Sequence, residues 1–115
     1  MSNRKHRQLD RIAPEVRLLR DVREIATKPF VLSVEDHFAG YFKELGITVR
    51  LASETTDSEI IELRNELLAY LSQAFSEQKF EFTWQVDFRR GMTQAALLFP
   101  GDRPIEGGAP LELIL

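Results

Sequence analysis

KFEFTWQVDFRRGMTQAALLF, residues 79–99, is the stretch whose reading decides the fold. Phe80, Phe82, Trp84, Val86 and Phe88 alternate without error against Glu81, Thr83, Gln85 and Asp87, which is the period of a strand buried on one side. RRGM is the turn. With Arg90 and Gly91 as the two central residues of a tight loop, the register pairs Val86 with Ala95, Trp84 with Leu97 and Phe82 with Phe99. The same register sets Gln94, Ala96 and Leu98 opposite Asp87, Gln85 and Thr83. One face of this hairpin is therefore core, and the other is only half polar.

Upstream, residues 57–78 carry the best-marked helix of the chain. Thr56 and Glu59 stand at capping-box spacing, and Ile60, Leu63, Leu67, Leu71 and Phe75, with Ile61, Leu68 and Ala74 alongside, form a wide apolar stripe. Glu59, Glu62, Glu66, Glu77 and Arg64 read as its solvated face. GITVRLAS before it is a strand, with Ile47, Val49 and Leu51 alternating against Thr48 and Arg50. Further back, Ser33 stands at an N-cap position with Glu35 and Asp36 behind it. Val34, Phe38, Tyr41, Phe42 and Leu45 then repeat at helical spacing as far as Gly46. That pattern predicts a helix over 33–45.

The N-terminal 28 residues read as a helical arm in two pieces. Leu9, Ile12 and Val16 recur at helical spacing with Arg4, Arg7 and Arg11 opposite; past Pro14 the stripe passes to Leu18, Leu19, Val22, Ile25 and Ala26. Proline suits a first helical turn and not a helix interior, so the second piece starts at Pro14. At the other end, PGDRPIEGGAP is a turn-rich loop and LELIL a last strand. The assembled order is helix, helix, strand, helix, strand, strand, strand. That is an α+β class, with two N-terminal helices preceding a mainly antiparallel sheet packed on one long helix. The strand–helix–strand unit near 47–88, if it is a right-handed crossover, makes the sheet mixed. The domain division expected is a basic arm, 1–28, and a single core domain, 29–115.

Charge separates the same two parts. Residues 1–28 hold eight Lys or Arg and four Asp or Glu, or 8 − 4 = +4, and the remainder holds seven against fourteen, or −7. A basic arm invites nucleic acid, through Arg4, Lys5, Arg7, Arg11 and Arg23. Against that, Arg11 and Glu15, Arg17 and Asp21, and Arg20 and Glu24 are each four apart, as on a self-paired helix face, and the body is acidic. With 115 residues and no cysteine, one core is expected and thiolate chemistry is excluded. No apolar run nears the length of a membrane span, and a soluble, cytoplasmic chain is expected.

Catalytic motifs are lacking. The two histidines, His6 and His37, have no companion ligands at metal-binding spacing, and Gly101, Gly107 and Gly108 fit no phosphate-binding loop. No cofactor or metal is expected. The function expected is that of a non-catalytic protein-interaction or regulatory adaptor module, homo-oligomeric, with the partner a protein or a second copy. The alternatives are nucleic-acid binding by the arm and a small-ligand site near Tyr41, Tyr70 and Trp84. The expected interaction face is the outer side of the sheet, comprising Arg50, Gln85, Asp87, Gln94, Ala96, Leu98 and Ile114. Its cover is either the N-terminal helices or a second subunit; the helix after Pro14 is expected to pack on its own subunit while the piece before it reaches a neighbour.

Overall fold

The structure, a computed structural model, describes residues 13–39 and 43–106. The predicted first helical piece, Arg4, Lys5, Arg7 and Arg11, Tyr41, the predicted last strand and Ile114 lie outside the described residues. The element order is α1 (Pro14–Ile25), β1 (Val31–Ala39), β2 (Glu44–Leu51), α2 (Asp57–Glu77), β3 (Thr83–Arg90) and β4 (Thr93–Leu98). The four strands form one sheet in the order β1-β2-β3-β4. β1–β2 and β3–β4 are antiparallel, and β2–β3 is parallel. The α+β class holds and the sheet is mixed, with α2 as the connection between the two parallel strands.

α1 starts where proline permits, with Pro14 at its first turn behind an extended Ala13. Leu18, Val22 and Ala26 are buried in the main core, so this helix is built into the same body as the sheet. α2 opens on the capping box read from the sequence: Glu59 N–H donates to Thr56 Oγ1 (3.2 Å), and Thr56 N–H donates to the Glu59 carboxylate (2.9 Å). Arg90, at the end of β3, fastens the same helix start by donating to Thr55 O (2.9 Å) and Asp57 Oδ1 (2.7 Å). Ile60, Leu63, Leu67 and Leu71 of α2 then pack on Leu45, Ile47, Val49 and Leu51 of β2 and on Trp84, Val86 and Phe88 of β3. Trp84 is only 2% exposed.

The described part of the predicted 33–45 helix, residues 33–39 and 43–45, is not helical. Val31–Ala39 pair antiparallel with Glu44–Leu51, Val34 facing Val49, Asp36 facing Ile47 and Phe38 facing Leu45. Directly opposed residues share a face, so Val34, Asp36 and Phe38 lie on the core side at a period of two. Asp36 is the residue that hides this alternation from a hydrophobicity reading, and it is a polar residue on the core side of an edge strand. It is accommodated because Arg23 of α1 donates to its carboxylate. A charge on the inner face and a bulge between Val31 and Ser33 are devices that keep an edge strand from accepting another.

The hairpin exists in a different register. β3 begins at Thr83, so Phe80 and Phe82 precede the strand. The parallel ladder to β2 starts at the Glu44–Thr83 pair, and the chain upstream of it is still leaving α2. The turn residues are Gly91 and Met92, flanked by the Arg90–Thr93 pair; Gly91 has φ +61°, as a hairpin turn led by glycine requires. A bulge then follows, because Arg89 pairs with Gln94 but Phe88 pairs with Ala96, leaving Ala95 as the extra residue. A one-residue slip exchanges the faces of a strand. Val86 therefore faces Leu98, and Asp87 faces Leu97; Ala96 and Leu98 are fully buried in the core.

Candidate interaction surface

The expected outer face is assembled only in part. Arg50 is exposed, Gln85, Asp87 and Gln94 are half-buried on the same side, and Ala96 and Leu98 are absent from it for the reason of register just given. What remains is a polar surface on which Arg50, Asp87 and Gln94 are each hydrogen-bonded. Arg50 Nε donates to Glu35 Oε1 at 2.9 Å, and that bond, reinforced by the charge of Glu35, raises the guanidinium pKa. Arg89 donates to Asp87 Oδ2 (3.2 Å) and Gln94 Nε2 to Asp87 Oδ1 (2.9 Å). Leu97 is the one half-buried apolar side chain brought to this side of β4 by the bulge. Exposed ion pairs hydrate readily and contribute little.

An aromatic cluster lies at the end of the molecule where α2 finishes and β3 begins. Among the described residues five aromatic rings form a continuous chain there. Phe75 of α2 stacks at a tilt on Phe80 with centroids 4.3 Å apart, Phe80 meets Phe82 at 5.0 Å, and Phe75 meets Phe82 edge-on at 5.8 Å. Trp84 closes the inner end, 6.2 Å from Phe75, and Phe38 of β1 the outer end, edge-on to Phe82 at 5.4 Å. Each pair is within the range in which ring quadrupoles attract. The sequence accounts for the cluster: Phe80 and Phe82 keep their alternation outside the strand, and the β1–β2 register carries Phe38 to the core side at the same end.

Phe38, near the end of the edge strand β1, is 51% exposed. Together with Phe80 and Phe82 it floors an open cleft of about 750 Å³, walled by Pro14, Glu15, Gln78, Lys79 and Glu81 and by Lys43. A second depression of about 570 Å³, lined by Asp21, Tyr70, Gln73 and Glu77, adjoins it at Pro14, Gln78 and Phe80. Lys43 is the sole non-glycine among the described residues with positive φ, +50°. Among the described residues Lys43, Lys79, Glu15 and Glu81 make no ion pair, whereas Arg23, Lys28, Arg50, Arg64, Arg89 and Arg90 each make one.

The other residues singled out by sequence have structural work. Tyr70 donates to Asp21 Oδ2 at 2.7 Å, and burial first, then this bond, raises its phenol pKa. Trp84 lies in a different depression from Tyr70, so the two do not line one ligand site. His37 is exposed on β1. Arg64 is not on a solvated face: it is 3% exposed and donates to Leu97 O (3.2 Å), Arg103 O (3.1 Å) and Asp102 Oδ2 (3.3 Å). Burial lowers its pKa, and the nearby Asp102 works the other way. With Asn65, which exchanges two hydrogen bonds with the backbone of Ile105, it binds the 97–105 segment along α2. Comparison of the chain with protein-family models, with curated proteins and with solved structures finds no match.

Proposed function

We propose that this protein is a non-catalytic protein-interaction module that associates with a second copy of itself through the aromatic cleft. The observation that carries the reading is the half-exposed Phe38, edge-on to Phe82 at the floor of an open cleft. Phe38 is the exposed ring of the cleft, with Phe80 and Phe82 partly buried beside it, and aromatic anchors in a pocket supply much of the binding energy of interfaces. The rim, two lysines and two glutamates that make no ion pair among the described residues, suits the polar border of such a surface. The nucleic-acid reading loses Arg23, which Asp36 engages. A cytoplasmic setting belongs to the same proposal and is supported by the absence of cysteine; the structure shows that no helix among the described residues is long and apolar enough to cross a membrane.

Amide shifts followed through a dilution series test the site. Self-association through the cleft moves the resonances of residues 38, 43 and 78–82 and leaves those of Thr48, Arg50, Gln85 and Asp87 in place. Movement confined to the latter group would transfer the interface to the outer sheet face and overturn the assignment.

A further inference from the structure

We infer that the occupant of the aromatic cleft is the segment of residues 1–12 contributed by a second copy, so that two copies exchange N-terminal arms; this rests on the cleft being the self-association surface. The first ground is where the chain leaves the described structure. Pro14 and Glu15 are themselves part of the cleft wall, so the twelve residues before Ala13 depart from its mouth. Residues 107–115 depart from elsewhere. Ile105 is bonded to Asn65, thirteen residues before Gln78 of the cleft wall, which at about 1.5 Å per helical residue is roughly 20 Å away.

The second ground is the geometry of that departure. Ala13 is extended, with φ −51° and ψ 137°, and runs directly into the first helical turn at Pro14; the residue before a proline favours this conformation. Reversal of a chain takes a turn of about four residues, and only Ala13 stands between Ile12 and Pro14. Folding Ile12 back into a cleft whose wall is Pro14 is therefore disfavoured, and the cleft of another copy is the apolar surface open to it. A short connection of this kind is the usual hinge of exchanged segments, and a two-fold exchange fills both clefts with the same contact.

The third ground is chemical match. Leu9 and Ile12 are the apolar side chains of the segment, and the floor of Phe38, Phe80 and Phe82 is apolar. Residues 1–12 hold four Lys or Arg and one Asp, 4 − 1 = +3, on a body that is acidic overall. Arg7 and Arg11 complement in charge Glu15 and Glu81 of the rim, and Asp10 complements Lys43 and Lys79.

The test uses the full chain and a synthetic peptide of residues 1–12. Sedimentation equilibrium of the wild type gives a mass above the 13.3 kDa of one chain. Replacing Leu9→Ser and Ile12→Ser together weakens association by about tenfold to a hundredfold, the worth of one or two apolar side chains losing their burial, with the fluorescence of Trp84 unchanged. On the unmodified protein the free peptide converts the assembly to single chains, and the peptide carrying the two serines does not. If the arm substitutions leave association intact, or the peptide has no effect, the arm is not the occupant; the cleft reading survives that result provided Phe38→Ser still disrupts association. A wild type that remains at the mass of one chain overturns both.

Discussion

Leu98 and its neighbour Leu97 give the most discriminating test of the fold, because the two registers of the hairpin exchange their roles. In the structure Leu98 is fully buried opposite Val86, and Leu97 sits beside Asp87 on the polar side of the sheet. Leu98→Ala removes a packed side chain from a closed core and leaves a cavity, which costs about 2–5 kcal/mol. For a body of this size, each kcal/mol lowers the melting temperature by about 4–8 °C, so a fall of about 10 °C or more is expected. Leu97→Lys keeps its aliphatic stem along the sheet with the ammonium in water and costs about 1 kcal/mol or less. Urea denaturation followed by the fluorescence of Trp84, the single tryptophan, and independently by circular dichroism, reads both variants. A tight turn centred on Arg90 and Gly91 predicts the reverse order, since it would place Leu98 outside and Leu97 in the core. If Leu97→Lys proves the more damaging of the two, the bulge at Ala95 and everything built on it are wrong.

Three further results are expected. Arg64→Ala takes its donors from the carbonyls of Leu97 and Arg103 and leaves the Asp102 carboxylate with the Phe99 N–H alone, and is expected to cost about 3 kcal/mol and to quicken proteolysis within 99–106; equal proteolysis of variant and wild type would rule out the clamp. Thr56→Ala removes the cap of α2 at a cost of about 1 kcal/mol, measured as a shift in urea midpoint at constant slope, and an unchanged midpoint would rule out the capping role. The phenol of Tyr70 is raised in the folded state, so its contribution is complete below the ordinary tyrosine value of about 10 and is lost as pH rises through the folded value. Tyr70→Phe should flatten the alkaline fall in stability, and a fall of identical steepness in the variant would show that Tyr70 does not drive it.

Much of this architecture is legible in the residues, and the failures share one cause. The capping box at Thr56 and Glu59, the start of α1 at Pro14 and the alternation of β2 depend on local rules with no competitor, and the structure keeps them. β1 was legible in principle, but Val34, Phe38 and Leu45 fit helical spacing because Asp36 occupies a core-side position that only Arg23, thirteen residues away, makes tolerable. Arg64 carried a usable signal: it lies four residues after Ile60 and three before Leu67, within the apolar stripe rather than beside it. Its three acceptors belong to the 97–103 segment, so no local pattern announces them. The bulge at Ala95 has no signature among small residues such as Ala95 and Ala96, and one extra residue was enough to carry Ala96 and Leu98 from the expected interaction face into the core. The aromatic cleft was hidden for a related reason. Phe80 and Phe82 look like strand residues, and only the end of the β2–β3 ladder at Thr83 leaves them half-buried at a corner instead.

Self-association through that corner is the central claim, and the mass of the wild type and of Phe38→Ser across a wide range of concentration tests it most directly. Phe38 is half-exposed on an edge strand, so the substitution leaves the core of Leu45, Val86 and Phe88 in place and the monomer folded. The account predicts a wild-type mass that rises above 13.3 kDa with concentration and a Phe38→Ser mass that stays there. A wild type holding the mass of one chain at every concentration, or a Phe38→Ser variant that associates as strongly as the wild type, would contradict it.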